Sequence, residues 1–151
     1  MAKGSTFESD LLQLVLCAKV GVSTGIVQLL GNAPSSAYTG LWSALHTADP
    51  TAGTGQNQSE LSLTGYARVN TTRSTAGWTV TGYGPATASP VSAITFPQLT
   101  STSTNTATFW SIGTSSSGTG YILYSGSLSP SINCSQNVTP QITTGSSVTE
   151  S

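Results

Sequence analysis

The sequence predicts an all-β fold, a jelly-roll-like or related β-sandwich with a short N-terminal helix. Short β-branched and aromatic runs recur at roughly 8–15-residue spacing between Gly, Pro, Ser and Thr turns. Ser and Thr make up about a third of the 151 residues, with 16 Gly and 7 Pro besides, a mixture suited to many short strands and turns. Helical periodicity is confined to the N-terminus. A chain of this length matches one domain. The expectation is therefore a single domain over 1–151, with an apolar helical segment at 1–31 and the β-sandwich over 40–151.

Ser5-Thr6-Phe7-Glu8 has the S-x-x-E form of a capping box, and Phe7, Leu11, Leu14, Val15 and Ala18 follow at helical spacing. Gly21 can stop the run, so a helix is expected over about 6–20. The apolar piece Ile26 to Leu30 is too short to classify, and Gly31-Asn32-Ala33-Pro34 marks a turn. Thereafter the period falls to that of strands. The runs are 40–47, 59–63, 66–72, 77–83, 91–96, 106–113, 120–125 and 137–143, seven or eight strands in all. Residues 50–58 and 113–120, rich in Gly, Ser, Thr, Asn and Gln, are expected to be exposed loops. No fixed internal period calls for a solenoid or propeller.

Charge excludes one class of partner. Only 6% of residues are charged and the net charge is −1. Lys3, Lys19, Arg68 and Arg73 are too few and too scattered to track a phosphate backbone, so no nucleic-acid partner is expected. The longest apolar run, Leu14 to Ala18, is far shorter than a membrane span. The N-terminal segment, interrupted by Asp10, Gln13 and Lys19, does not read as a signal peptide. No membrane partner is expected. Cys17 and Cys134 lack C-x-x-C spacing and read as two thiols in a reduced compartment.

Candidates for chemistry are few, and the chain is expected not to be an enzyme, with no cofactor and no metal. His46, followed by Asp49-Pro50, suggests a dyad, but a strand end with an Asp-Pro turn accounts for the same residues. Glu8 and Asp10 suit a helix start, and Asp49 and Glu60 flank a loop. Arg68 and Arg73 are the mid-chain cations, and pairing with Glu60 or Asp49 is expected. The stretches GTSSSGTG and TGYGPATA lack the strand and helix context of a phosphate loop.

Two surfaces are candidates for contact. Phe7, Leu11, Leu12, Val15, Leu16, Ile26 and Leu30 carry more apolar area than one short helix usually hides, and are expected at a protein interface. Trp78 and Tyr83 are the candidate exposed aromatic contact, although aromatic side chains in a small β-domain default to the core.

The succession Phe7-Glu8-Ser9-Asp10-Leu11-Leu12-Gln13-Leu14, Leu41-Trp42-Ser43-Ala44-Leu45-His46-Thr47-Ala48-Asp49-Pro50, Ser62-Leu63-Thr64-Gly65-Tyr66-Ala67-Arg68-Val69 and Gly77-Trp78-Thr79-Val80 resembles a family of small virion proteins of tailed bacteriophages and prophages. Ile94-Thr95-Phe96-Pro97 and Leu123-Tyr124-Ser125-Gly126-Ser127-Leu128-Ser129-Pro130 extend the likeness nearly end to end. The resemblance implies a virion structural protein made in the host bacterial cytoplasm. The closest analogy is a decoration, or cement, protein on the capsid exterior, with the major capsid protein and further copies of itself, as a homodimer or homotrimer, for partners. The alternative it leaves open is a tail or tail-fibre module that binds a host surface glycan.

Overall fold

The computed structural model describes residues 5–18, 38–53 and 55–150. Among these residues are one α-helix, α1 (Ser5–Cys17), and nine strands: β1 (Gly40–His46), β2 (Val69–Thr72), β3 (Trp78–Thr81), β4 (Ala86–Pro90), β5 (Ile94–Thr95), β6 (Asn105–Gly113), β7 (Ile122–Cys134), β8 (Gln141–Ile142) and β9 (Val148–Glu150). The registered strand pairs are antiparallel. The all-β architecture with a short N-terminal helix is therefore the one the sequence predicts. No helix among the described residues is long and apolar enough to cross a membrane. The chain gathers into two compact units.

The first unit takes in Met1–Thr39, Thr72–Ala93 and Thr143–Ser151. Its sheet has the order β3-β4-β9, and α1 packs against all three strands. Trp78 pairs with Pro90 and Val80 with Ala88, so these residues share a face with Ala86, and Trp78, Ala86 and Ala88 are buried. Small side chains on β4 let the helix approach closely and bury Leu12, Leu16 and Cys17. The opposite face is polar, with the Thr81 and Thr87 hydroxyls 3.0 Å apart. The helix starts where the capping box places it and ends three residues earlier than expected, with Ala18 at φ 51°. Arg73 receives its C-terminus: Nε donates to the Val15 carbonyl at 2.7 Å and Nη2 to the Leu14 carbonyl at 2.6 Å. Carbonyls left open at a helix end favour such a cation. The predicted partner for Arg73, an acidic side chain, is thus replaced by backbone.

The second unit comprises Gly40–Thr71 and Ile94–Ile142. Its main sheet has the order β2-β1-β6-β7, and β5 pairs with β8 beside it. β1 is internal, which is why Ser43, Ala44, Leu45 and His46 are buried in succession instead of alternating. Leu41, Leu45, Leu61, Phe96, Leu99, Ile112 and Ile142 are the largest of its enclosed apolar side chains.

Several strands differ from expectation. The run 59–63 supplies only a single bridge, Glu60 to His46. The predicted strand 91–96 shortens to β5, and 137–143 to β8. β4 arises within a stretch that reads as turn because of its Gly and Pro, and β9 forms from the polar tail. β7 is more than twice the predicted length. It lies at the sheet edge, where Pro130 needs no ladder partner on its open side. The register with β6 is broken there: Phe109 faces Ser127 and Ala107 faces Ile132, so β7 advances five residues while β6 advances two.

Candidate functional site

Arg68, just before β2, is the centre of a buried polar network in the second unit. Its side chain is 2% exposed and forms a bidentate ion pair with Glu60: Nε to Oε1 and Nη2 to Oε2, both at 2.7 Å. Nη1 donates to Gln56 Oε1 at 3.2 Å and to the Ser115 carbonyl at 2.9 Å, and Nη2 donates also to the Gly118 carbonyl at 2.7 Å. All five guanidinium donors therefore have partners. This geometry needs the planar fork of Arg, which a Lys ammonium does not supply. The pairing with Glu60 is the one expected from sequence.

Two loops are joined by this network. Gln56, fully buried, donates from Nε2 to the Trp42 carbonyl at 2.7 Å, and its Oε1 also accepts from the Ser115 amide at 3.4 Å. Its own amide donates to the Thr119 and Gly120 carbonyls. Gly113 and Gly120 make room for it: a Cβ on Gly113 would lie 2.3 Å from the Gln56 amide group, and one on Gly120 3.1 Å from Gln56 Oε1. Loop 50–58 is thus anchored inward at Gln56, contrary to the expectation of a wholly exposed loop. The hairpin tip 113–121 is held from within while Ser116, Ser117, Gly118 and Tyr121 remain exposed.

Between these loops lies an open cleft of about 690 Å³. Asn57, Glu60, Ser62, Thr64, Tyr66 and Ser116 are among the residues that line it. The Tyr66 hydroxyl donates to Glu60 Oε1 at 3.2 Å and accepts from the Leu45 amide at 2.9 Å. Its ring stacks on Phe96 with centroids 6.0 Å apart. Burial raises the phenol pKa well above its usual value, so Tyr66 remains a neutral donor.

His46 and Ser111 form a second pair that sequence reasoning did not bring together. Nε2 of His46 lies 2.7 Å from Ser111 Oγ, and Nδ1 lies 2.8 Å from the Gln58 carbonyl. A carbonyl can only accept, so Nδ1 carries the proton and Nε2 accepts from the serine. Both residues are completely buried, and His46 is oriented by backbone where a hydrolytic triad has a carboxylate. Burial lowers the His46 pKa, against the opposing effects of the Gln58 carbonyl and Glu60. Asp49 instead caps the short 3-10 turn Pro50–Ala52, its Oδ1 accepting from the Thr51 amide at 2.9 Å and hydroxyl at 2.7 Å. Those two bonds hold its carboxyl below the usual range. Among the described residues, no three His, Cys, Asp or Glu side chains gather as metal ligands would.

The predicted contact surfaces are divided by the structure. Trp78 is 1% exposed, in the core of the first unit, so it is not an exposed contact. Its side chain lies on the sheet face that α1 covers. Tyr83, in the β3–β4 turn, is 74% exposed. Of the predicted interface, Leu12 and Leu16 are fully buried in their own unit, and so are unavailable to a partner. Leu11 and Val15 are half-buried and Phe7 is exposed. Ile26 and Leu30 lie outside the described residues.

The Arg68 network had a legible pair, Arg68 with Glu60, but Gln56 and the carbonyls of Ser115 and Gly118 carry no sequence mark. Only the Gly-rich character of 113–120 hints at close backbone approach.

No curated protein matches the chain. A protein family described as Podophage GP4 fiber I protein gp80 matches residues 23–150. With most of its length matched, the chain belongs to this family of phage virion structural proteins.

Proposed function

We propose that this protein is a tail-fibre module of a podophage virion that recognises a carbohydrate on the host surface, acting by binding and not by chemistry. The observation that carries this reading is the buried Arg68 side chain, which spends two of its five donors on the Ser115 and Gly118 carbonyls of the exposed tip 113–121 and the other three on Glu60 and Gln56, and so fixes the tip beside an open polar cleft. Loops on a rigid scaffold are where binding residues concentrate, and fixing a loop in advance lowers the entropy lost on contact. The fibre description of the family favours the tail over the shell. The sealed position of His46 and Ser111 favours recognition over hydrolysis, because no substrate reaches that serine without the fold opening.

Cryo-electron microscopy of the intact virion tests the location. The expected outcome is a small number of copies at the tail periphery, with the 113–121 tip directed outward. Many copies bridging major capsid subunits over the icosahedral shell would overturn the reading in favour of capsid decoration. Recognition is tested by competition: the purified full chain should reduce adsorption of virions to host cells, and no reduction at saturating protein would count against it.

A further inference from the structure

We infer that the cleft between residues 57–68 and the tip at 116–118 takes a neutral, hydroxyl-rich saccharide and discriminates against acidic ones. The inference rests on the recognition reading above and assigns it a site and a ligand class.

The argument is one of donors and acceptors. Arg68 is the cation beside the cleft, and each of its five N–H groups is already committed to protein. An anionic ligand therefore finds no unused charged donor. Glu60 is the reverse case. Its side chain is 18% exposed and lines the cleft. Oε1 accepts from Arg68 and Tyr66, whereas Oε2 accepts from Arg68 Nη2 alone. A carboxylate offers about four acceptor positions, so Oε2 retains capacity for one more donor. What it can accept is a hydroxyl; an ionised carboxylate or sulfate has no hydrogen to give it, and among the described residues no free cation beside it compensates a ligand's negative charge.

The cleft walls match the same ligand. Asn57, Ser62, Thr64 and Ser116 are exposed, line the cleft, and make no side-chain hydrogen bonds with the described residues. Hydroxyl and amide groups both donate and accept, as sugar hydroxyls do. Tyr66 adds an aromatic ring held in place by its hydroxyl and by Phe96. Polar groups fixed in advance in a concave site give orientation at low entropic cost.

An array of purified bacterial O-antigen and capsular polysaccharides, neutral and uronate- or sialate-bearing, is the probe, with the full chain as analyte. Wild type is expected to retain neutral polysaccharides at least tenfold more strongly than acidic ones. Ser62→Trp fills the cleft from an exposed position outside the Arg68 network, and should weaken retention at least tenfold with an unchanged melting midpoint. Asn57→Asp, nearly isosteric, adds a carboxylate and should widen the discrimination against acidic chains. Preference for acidic polysaccharides would overturn the charge argument. Retention unaffected by Ser62→Trp but lost in Tyr83→Ala would move the contact to the β3–β4 turn and overturn the site while leaving host recognition standing. Retention of none by the wild type, together with no competition for adsorption, would overturn both.

Discussion

Arg68 combines burial, charge and complete hydrogen bonding in one side chain, so it is sensitive to the mildest replacement. Arg68→Lys keeps the charge but loses the fork, stranding Gln56 and the Ser115 or Gly118 carbonyl. A hydrogen bond to a charged group contributes about 1.5–3 kcal/mol, and we expect the urea midpoint of this variant to fall by the equivalent of about 3 kcal/mol. A loss under 1 kcal/mol would mean that water replaces the missing contacts. His46 contributes a pH dependence to stability near neutral pH. Its folded pKa is lowered from 6.5, so the neutral form belongs to the native state. Above pH 6.5 folded and unfolded chains are alike in this proton. As pH falls below 6.5 the unfolded chain takes it up first, and stability declines by at most about 1.4 kcal/mol per pH unit for one proton. Urea unfolding from pH 8 to 5 should show this decline, and His46→Gln should flatten it. An identical slope in the variant would assign the dependence to another group.

The hairpin tip and the helix end illustrate how elements are held by residues outside them. Gly118 and Gly120 both have left-handed φ, +67° and +46°. A Cβ at Gly118 meets nothing within 4 Å, whereas one at Gly120 lies 2.7 Å from the Ser115 Cβ. Gly118→Ala should therefore cost only the backbone penalty of about 1 kcal/mol. Gly120→Ala adds the clash and should cost about 2–3 kcal/mol. Thermal melts of the two variants side by side check the ordering. Arg73 acts likewise on α1. Without its guanidinium the Leu14 and Val15 carbonyls lose charged donors, and Arg73→Ala should destabilise the first unit by about 1–2 kcal/mol, with exchange of the last-turn amides accelerated. Leu12 and Leu16 belong to that same core, so removing residues 1–31 to test an interface would expose it. Phe7→Ser, at an exposed position, is the cleaner test of oligomeric state.

At the scale of the whole molecule, the two buried thiols report on the two units separately. Cys17 sits on α1 and its thiol lies 3.5 Å from the Trp78 carbonyl, while Cys134 ends β7. Burial raises the Cys134 pKa, which keeps that thiol protonated near neutral pH. In native buffer we expect a thiol-specific reagent to label neither within minutes, and both in denaturant. Intermediate urea should label them at different rates if the units open separately, and at one rate if unfolding is cooperative across the chain. Peptide mapping of the labelled sites distinguishes the two.

The sequence by itself determined the elements whose signals are local. The capping box placed the start of α1, the aromatic and β-branched runs placed β1, β3 and β6, and opposite charge in a sparsely charged chain pointed Arg68 at Glu60. Hydrophobic period and composition carry that information because each side chain's environment repeats along its own strand or helix. The residues that only the tertiary structure decided are those whose partners are distant. β7 grew along β6 because an existing ladder extends a polar strand that propensity alone would not form, and β4 and β9 were recruited the same way. Gln56 went inward because the Trp42 carbonyl and Arg68 needed it, though its neighbours read as an exposed loop. Trp78 became core instead of contact because α1, far away in sequence, covers its face of the sheet. The meeting of His46 with Ser111, 65 residues apart, follows from the β1–β6 register. Register is fixed by how whole strands bury their faces, a property no short window of sequence contains.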